Sequence, residues 1–200
     1  MQPVQVITGT AVPLDRSDVD TDQIIPSDWL KRIERTGYGR GLFSEWRDDR
    51  DFVLNQEQYA GANILVAGPN FGTGSSREHA VWAIEDYGFR AVVSPRFGDI
   101  FRNNCTKVGL VPVQVSAAGG RSLLDAVIAD PALHITIDIE RQTISAPAIA
   151  FEEQFPLDNF TVYRLLNGFD DIGLTLRNAD AISTYETTRP SWTPRIATPG

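Results

Sequence analysis

The chain has 200 residues and a mass of 22.1 kDa, with 42% hydrophobic and 22% charged residues, proportions of a folded protein rather than a disordered one. At about 150 residues per domain this predicts one domain with a small appendage, burying roughly 70% of the surface of the unfolded chain. The 26 acidic against 18 basic side chains leave a formal charge of −8 and a pI near 4.7, which disfavours a broad nucleic-acid or anionic-membrane surface while leaving room for a small anion held by a few converging arginines.

In chain order, residues 4–7 alternate weakly and suit an edge strand. Residues 15–22 are acidic and turn-like; Asp18-Val19-Asp20-Thr21-Asp22 lacks the Gly and terminal Glu of a calcium loop, so hydrogen-bonded turns are expected there instead of a metal. Ser27-Asp28 can cap a short helix starting near Trp29, and residues 36–50 read as a long loop or short turns. The run Ile64-Leu65-Val66-Ala67 suits a buried strand, residues 68–74 a Gly-rich turn, and residues 75–87 a helix whose Ala80, Ala83, Ile84 and Tyr87 share one face before Gly88 ends it. Ala91-Val92-Val93 is a second buried strand, which completes a strand–turn–helix–strand unit of the kind that builds parallel sheets.

Further on, a short helix is expected over residues 99–104 and a strand over 110–115, with Pro112 marking an edge position or an irregularity. A helix over 122–129, capped by Ser122 and stopped at Pro131, precedes a hairpin of residues 134–139 with 143–146. Asp158 caps a helix closed by Asn167-Gly168, a last helix spans about 178–186, and residues 189–200, with three prolines, are expected to form a loose tail.

The single cysteine, Cys105, rules out an internal disulfide, a Cys-only zinc site and an iron–sulfur cluster held by this chain alone. His79 and His134 form no metal motif, no metal site is expected, and His79 is read as a packed side chain. Residues 1–15 carry no secretory signal, and no apolar run approaches the ~18 residues of a membrane helix, so a cytoplasmic protein is expected.

The chemistry concentrates in Asn70-Phe71-Gly72-Thr73-Gly74-Ser75-Ser76-Arg77-Glu78-His79. A Gly-rich turn into a helix start presents backbone N–H groups and the positive end of the helix dipole, which attract anions. Arg77 adds a guanidinium able to grip a carboxylate through two parallel hydrogen bonds. A P-loop would need a lysine, and the dinucleotide fingerprint a third glycine where Arg77 stands, so a carboxylate fits better than a pyrophosphate. Ser75-x-x-Glu78 also reads as a capping box, and for Ser75 both readings stand. A cation in the first turn opposes the dipole, so an anionic partner for Arg77 is expected.

This run, with Asp20-Thr21-Asp22-Gln23-Ile24-Ile25-Pro26, Asp86-Tyr87-Gly88-Phe89, Arg96-Phe97-Gly98-Asp99-Ile100-Phe101 and Asp171-Ile172-Gly173-Leu174-Thr175-Leu176, resembles the small-subunit family of 3-isopropylmalate dehydratase over about residues 1–188. The Gly-Ser-Ser-Arg-Glu-His part is common to aconitase-type hydro-lyases; Thr36-Gly37-Tyr38-Gly39, Leu42-Phe43 and Trp46-Arg47 point to the isopropylmalate branch. Many relatives carry Cys where Thr73 stands.

The resemblance implies an α/β fold, the three-layer β/β/α swivelling domain of the aconitase type over residues 1–188, with a mobile substrate loop in 29–50. It implies a large partner subunit bearing an iron–sulfur cluster, a dicarboxylate substrate, no nucleic acid or membrane partner, and no cofactor on this chain. Ser75 would move the substrate proton and Ser76 and Arg77 would bind carboxylate. Lys31 and Arg35 of the loop are further candidates for substrate contact, while Arg40 is assigned to a solvated face. A related diacid (citraconate, methylmalate or homoaconitate), or a carboxylate-binding module without turnover, are the alternatives.

Overall fold

The computed structural model describes residues 1–31, 36–190 and 192–193. Two four-stranded sheets organise the chain. The parallel sheet runs in the order β2 (Ala11–Leu14), β3 (Ile64–Ala67), β4 (Ala91–Ser94), β5 (Val111–Gln114). Every residue of its first three strands is buried, as a parallel sheet covered on both faces requires. The second sheet, β1 (Val6–Gly9), β6 (Ile135–Asp138), β7 (Thr143–Ala146), β8 (Phe151–Gln154), is antiparallel. Its β6 and β7 alternate buried and half-buried side chains, so one face turns to the core. With the helices, this gives the mixed α/β architecture expected from the resemblance.

The predicted parallel unit is present: β3 leads through α2 (Glu78–Tyr87) to β4, and β4 through α3 (Asp99–Val108) to β5. Both helices end on left-handed glycines, Gly88 at φ 120° and Gly109 at φ 93°. The expected hairpin is the β6–β7 pair, Asp158 caps α5 (Asn159–Asn167), and Gly168 closes it. Pro112 does sit on an edge strand, where its missing N–H costs no ladder bond to a further strand.

Four expectations need correction. The helix predicted from residue 75 begins at Glu78: Arg77 is the N-cap residue, its side chain makes no capping bond, and the Ser75–Glu78 capping box is not formed. The loop conformation persists past Ser75 because its backbone is bonded elsewhere. The helix predicted from Ser122 is α4 (Ala117–Ala129), capped by Ser116, whose hydroxyl accepts from the Gly119 N–H at 2.9 Å. Gly119-Gly120 disguises its first turns, yet Gly120 is required by packing, since a Cβ there would strike the Pro95 ring, whereas at Gly119 it would meet the movable end of the Glu153 side chain. The helix predicted over 99–104 continues to Val108.

Three further elements lacked a sequence signal: β2 with its internal Pro13, β8 with the sequence Phe-Glu-Glu-Gln, and α6 (Asp171–Leu176). The last helix, α7 (Ala179–Thr188), matches its expectation closely, while Ser191 and residues 194–200 of the expected tail lie outside the described residues. Among the described residues no helix is long and apolar enough to cross a membrane.

Candidate active site at the Gly-Ser-Ser-Arg loop

The site grows from the C-terminal end of β3, where open α/β sheets place their ligands. The chain leaves β3 and folds back on two partners. Phe71 N–H donates to Arg96 O at 3.0 Å and Gly98 N–H to Phe71 O at 2.9 Å, tying the loop to the turn after β4. Gly72 and Thr73 N–H both donate to Val19 O, at 2.7 and 3.2 Å. Gly72 and Gly74 are left-handed, at φ 74° and 88°, and a Cβ at Gly72 would overlap the Phe101 ring.

The acidic run before Pro26 is the other half of the site. Asp20 caps the short helix α1 (Thr21–Ile24): its carboxylate accepts from Gln23 N–H at 2.8 Å, while the Gln23 side chain accepts from Asp20 N–H at 3.0 Å. Asp18 accepts from the Asn70 amide at 2.6 Å. Asp15 pairs with Arg121 at 2.8 Å. These acids are spent on the protein, as the turn reading expected, and among the described residues no group of three or more His, Cys, Asp or Glu could hold a metal.

Thr21, 2% exposed, lies against the loop that carries Ser75: its N–H donates to Thr73 O at 3.0 Å and its hydroxyl to Ser75 O at 2.9 Å. Asp22 forms an ion pair with Arg77 Nη1. The arginine side chain is 19% exposed and the aspartate 56%. Nη1 is buried and meets Asp22 as a charge contact without an aligned hydrogen bond, so the guanidinium retains donors for another acceptor. The anion expected beside Arg77 is thus supplied in part by the chain itself. Neither Thr21 nor Asp22 was singled out from sequence, although both lie in a motif that carries the family resemblance; their contacts span more than fifty residues of chain and leave no local signal.

A cavity of about 270 Å³ opens here, lined among others by Thr21, Gly74, Ser75, Arg77, Ile100 and Phe101. Larger hollows of about 450 and 490 Å³ flank α5, away from the Gly-Ser-Ser-Arg loop. Ser75 and Arg77 share this opening. Ser76 is exposed beside it and does not line it. His79 is packed, its ring 4.7 Å from Trp82 and 5.3 Å from Tyr38.

Lys31 is at the exposed end of a 3₁₀ turn (Ser27–Lys31), paired with Asp28 at 2.9 Å and not brought to the cavity. Arg35 and Arg32 lie outside the described residues. Arg40 is exposed, on a 3₁₀ turn (Tyr38–Gly41) packed against α2, where Gly39 N–H donates to the Asp86 carboxylate at 2.8 Å. Leu42 and Phe43 just beyond are fully buried, so this part of the expected loop is anchored.

The donor set does not fit an iron–sulfur cluster. Cys105 is buried inside α3, and burial pushes its thiol well above the ordinary value, which disfavours the thiolate that a metal would need.

Comparison with known proteins agrees with this architecture. The aconitase C-terminal domain family matches residues 1–118, and the family of C-terminal domains of 3-isopropylmalate dehydratase small subunits matches residues 171–198. The 3-isopropylmalate dehydratase small subunit of Rubrobacter xylanophilus is 56% identical over 98% of this chain and all of its own length. That of Frankia casuarinae is 59% identical over the same shares. A crystal structure of 3-isopropylmalate dehydratase from Methanocaldococcus jannaschii superposes with a TM-score of 0.64 at 26% identity, covering 90% of this chain and 99% of that one. The chain belongs to the family of 3-isopropylmalate dehydratase small subunits, components of a hydro-lyase of leucine biosynthesis.

Proposed function

We propose that this chain is the half of a heteromeric hydro-lyase that closes over 2-isopropylmalate, with Ser75 as the proton-transfer residue and Arg77 as the carboxylate clamp. The observation that carries this reading is the placement of Ser75 and Arg77 on one cavity wall, with Arg77 held in place by Asp22.

The reaction moves a hydroxyl between adjacent carbons by loss and re-addition of water. The proton lost is α to a carboxylate and weakly acidic. As it passes to Ser75 Oγ, negative charge builds on that carboxylate. Arg77, already positioned, stabilises this charge without reorganising at the moment of reaction. A serine alkoxide is hard to form in water, so Ser75 works only once the opening is sealed and the nearby cation acts in a drier medium. α2 begins three residues beyond Ser75, so its dipole acts chiefly at Arg77 and less at the hydroxyl.

Ser76 lies at the rim, where it meets a carboxylate only when a second surface completes the site. That surface would be the large subunit, whose iron–sulfur cluster would supply a Lewis acid for the departing hydroxyl. Lys31, once it leaves Asp28, and Arg35 are the cations of the 29–50 segment assigned to substrate contact. Residues 1–188 form the swivelling unit, and the complex is cytoplasmic.

The test is anaerobic co-purification with a cluster-loaded large subunit, followed by assay on 2-isopropylmalate, citraconate and homoaconitate. Turnover of 2-isopropylmalate that disappears with Ser75→Ala, in a complex that still assembles, supports the reading. Near-normal turnover by Ser75→Ala removes the proton-transfer role; preference for another diacid reassigns the substrate; absence of any complex leaves a carboxylate-binding module.

A further inference from the structure

We infer that Thr21 is a positioning residue for Ser75, and that its hydroxyl is needed to hold Ser75 in the orientation used for proton transfer. The inference rests on the proposed role of Ser75 and adds a residue to it.

Ser75 sits in a segment with no regular structure, between left-handed Gly74 and the start of α2 at Glu78. Helix hydrogen bonds do not fix its peptide planes. What fixes them is Thr21, which grips the loop on both sides. Its N–H donates to the carbonyl of Thr73 at 3.0 Å, and its Oγ1–H donates to the carbonyl of Ser75 at 2.9 Å. The two acceptors lie on either side of the Gly74–Ser75 peptide, so together they restrain the stretch of backbone from which the Ser75 side chain projects. The first bond is backbone-made and any residue could supply it; the second needs a hydroxyl.

The clamp is rigid on its own side. Thr21 is 2% exposed and is the first residue of α1, whose capping box is complete. The fully buried Ile24 and Ile25 root that helix in the core. Gly74 lies against Asp20 and Thr21, so the glycine both permits the positive φ and keeps the clamp close. Thr21 also lines the cavity, so loss of its hydroxyl bond would free the Ser75 peptide where substrate sits. A misplacement of about 1 Å costs on the order of a hundredfold in rate.

The test uses the complex with the large subunit and five variants: Thr21→Val, Thr21→Ala, Thr21→Ser, Ser75→Ala and the double variant Thr21→Val/Ser75→Ala. Thr21→Val removes the hydroxyl and keeps the volume. It is expected to lower kcat on the order of tenfold to a hundredfold with KM within about twofold, because the loss falls on the transition state and not on binding. Thr21→Ser keeps the hydroxyl and is expected to restore kcat to within about threefold. In the Ser75→Ala background, Thr21→Val is expected to change the residual rate by less than about twofold, since residues that act as a unit are non-additive. Wild-type kcat in Thr21→Val, a further loss in the double variant, or failure of both Thr21→Val and Thr21→Ala to fold would each overturn the inference. Turnover retained by Ser75→Ala alone would instead remove the role of Ser75 on which it stands.

Discussion

Asp22 on α1 and Arg77 at the start of α2 form an ion pair in which the acid is more than half exposed and the guanidinium largely covered. The covered partner is held in place, and the exposed one can turn to water at little cost. An incoming carboxylate can therefore share or replace Asp22 without moving Arg77. Lysine at this position would keep the charge and the attraction to Asp22 but lose the planar fork. Arg77→Lys is expected to lower kcat/KM by at least about tenfold, with thermal unfolding within a few degrees of the parent. Steady-state kinetics on the assembled enzyme measure this, and unchanged KM and kcat would contradict the carboxylate role.

The loop that carries Ser75 depends on Gly72. Gly61 and Gly72 have nearly the same backbone, φ 78° and 74°, but a Cβ meets nothing at Gly61 and overlaps the Phe101 ring at Gly72. Gly61→Ala should cost about 1 kcal/mol of left-handed strain. Gly72→Ala carries the same strain plus a clash inside the core, for a total of about 3 kcal/mol or more. Urea unfolding of the two variants side by side separates strain from overlap; equal costs would mean that Phe101 yields freely.

Asp158 caps α5, accepting from Thr161 N–H at 2.9 Å and from the Thr161 hydroxyl at 2.6 Å. The side-chain bond first, then the backbone bond, hold its carboxyl below the ordinary value. Between the lowered value and the ordinary ~3.9 the unfolded chain binds more protons than the folded one, so this group stabilises the fold above about pH 4 and loses that effect as the pH falls through the folded-state value. Asp158→Ala is expected to cost about 1 kcal/mol at pH 7 and progressively less below pH 4. Chemical unfolding at a series of pH values reads the difference; a penalty that grows toward acid would reverse the assignment.

Cys105 is fully buried, and desolvation raises its thiol well above the ordinary value. The native protein is therefore expected to resist a colorimetric disulfide reagent at pH 8 for as long as it stays folded. One equivalent should react at once in denaturant. Rapid stoichiometric labelling of the native protein would show that α3 opens readily.

Much of the fold was legible because its period and punctuation are local. Ile64–Ala67 and Ala91–Ser94 are short apolar runs on either side of a helix with one apolar face, and their length, too short for a helix, suits a strand buried on both faces. Gly88 and Gly168 marked helix ends through their left-handed backbone. The missed elements carry contrary local signals that packing overrides. Pro13 interrupts β2, paired acids occupy β8, and Gly119-Gly120 lies in the first turns of α4, where the Pro95 ring presses so closely on Gly120 that a Cβ does not fit.

The sequence by itself determined which segment is the candidate anion site, because Ser75 and Arg77 are near neighbours in a Gly-rich turn before a helix and need no distant residue to be noticed. It also excluded a self-held cluster, since one thiol cannot supply the ligands. Only the tertiary structure decided where the helix starts, which carboxylate faces Arg77, and what fixes the peptide of Ser75. Those outcomes depend on α1 meeting the loop after β3, a contact between segments far apart in the chain. Composition, periodicity and spacing encode neighbours along the backbone, and such a meeting is settled by how the buried faces pack.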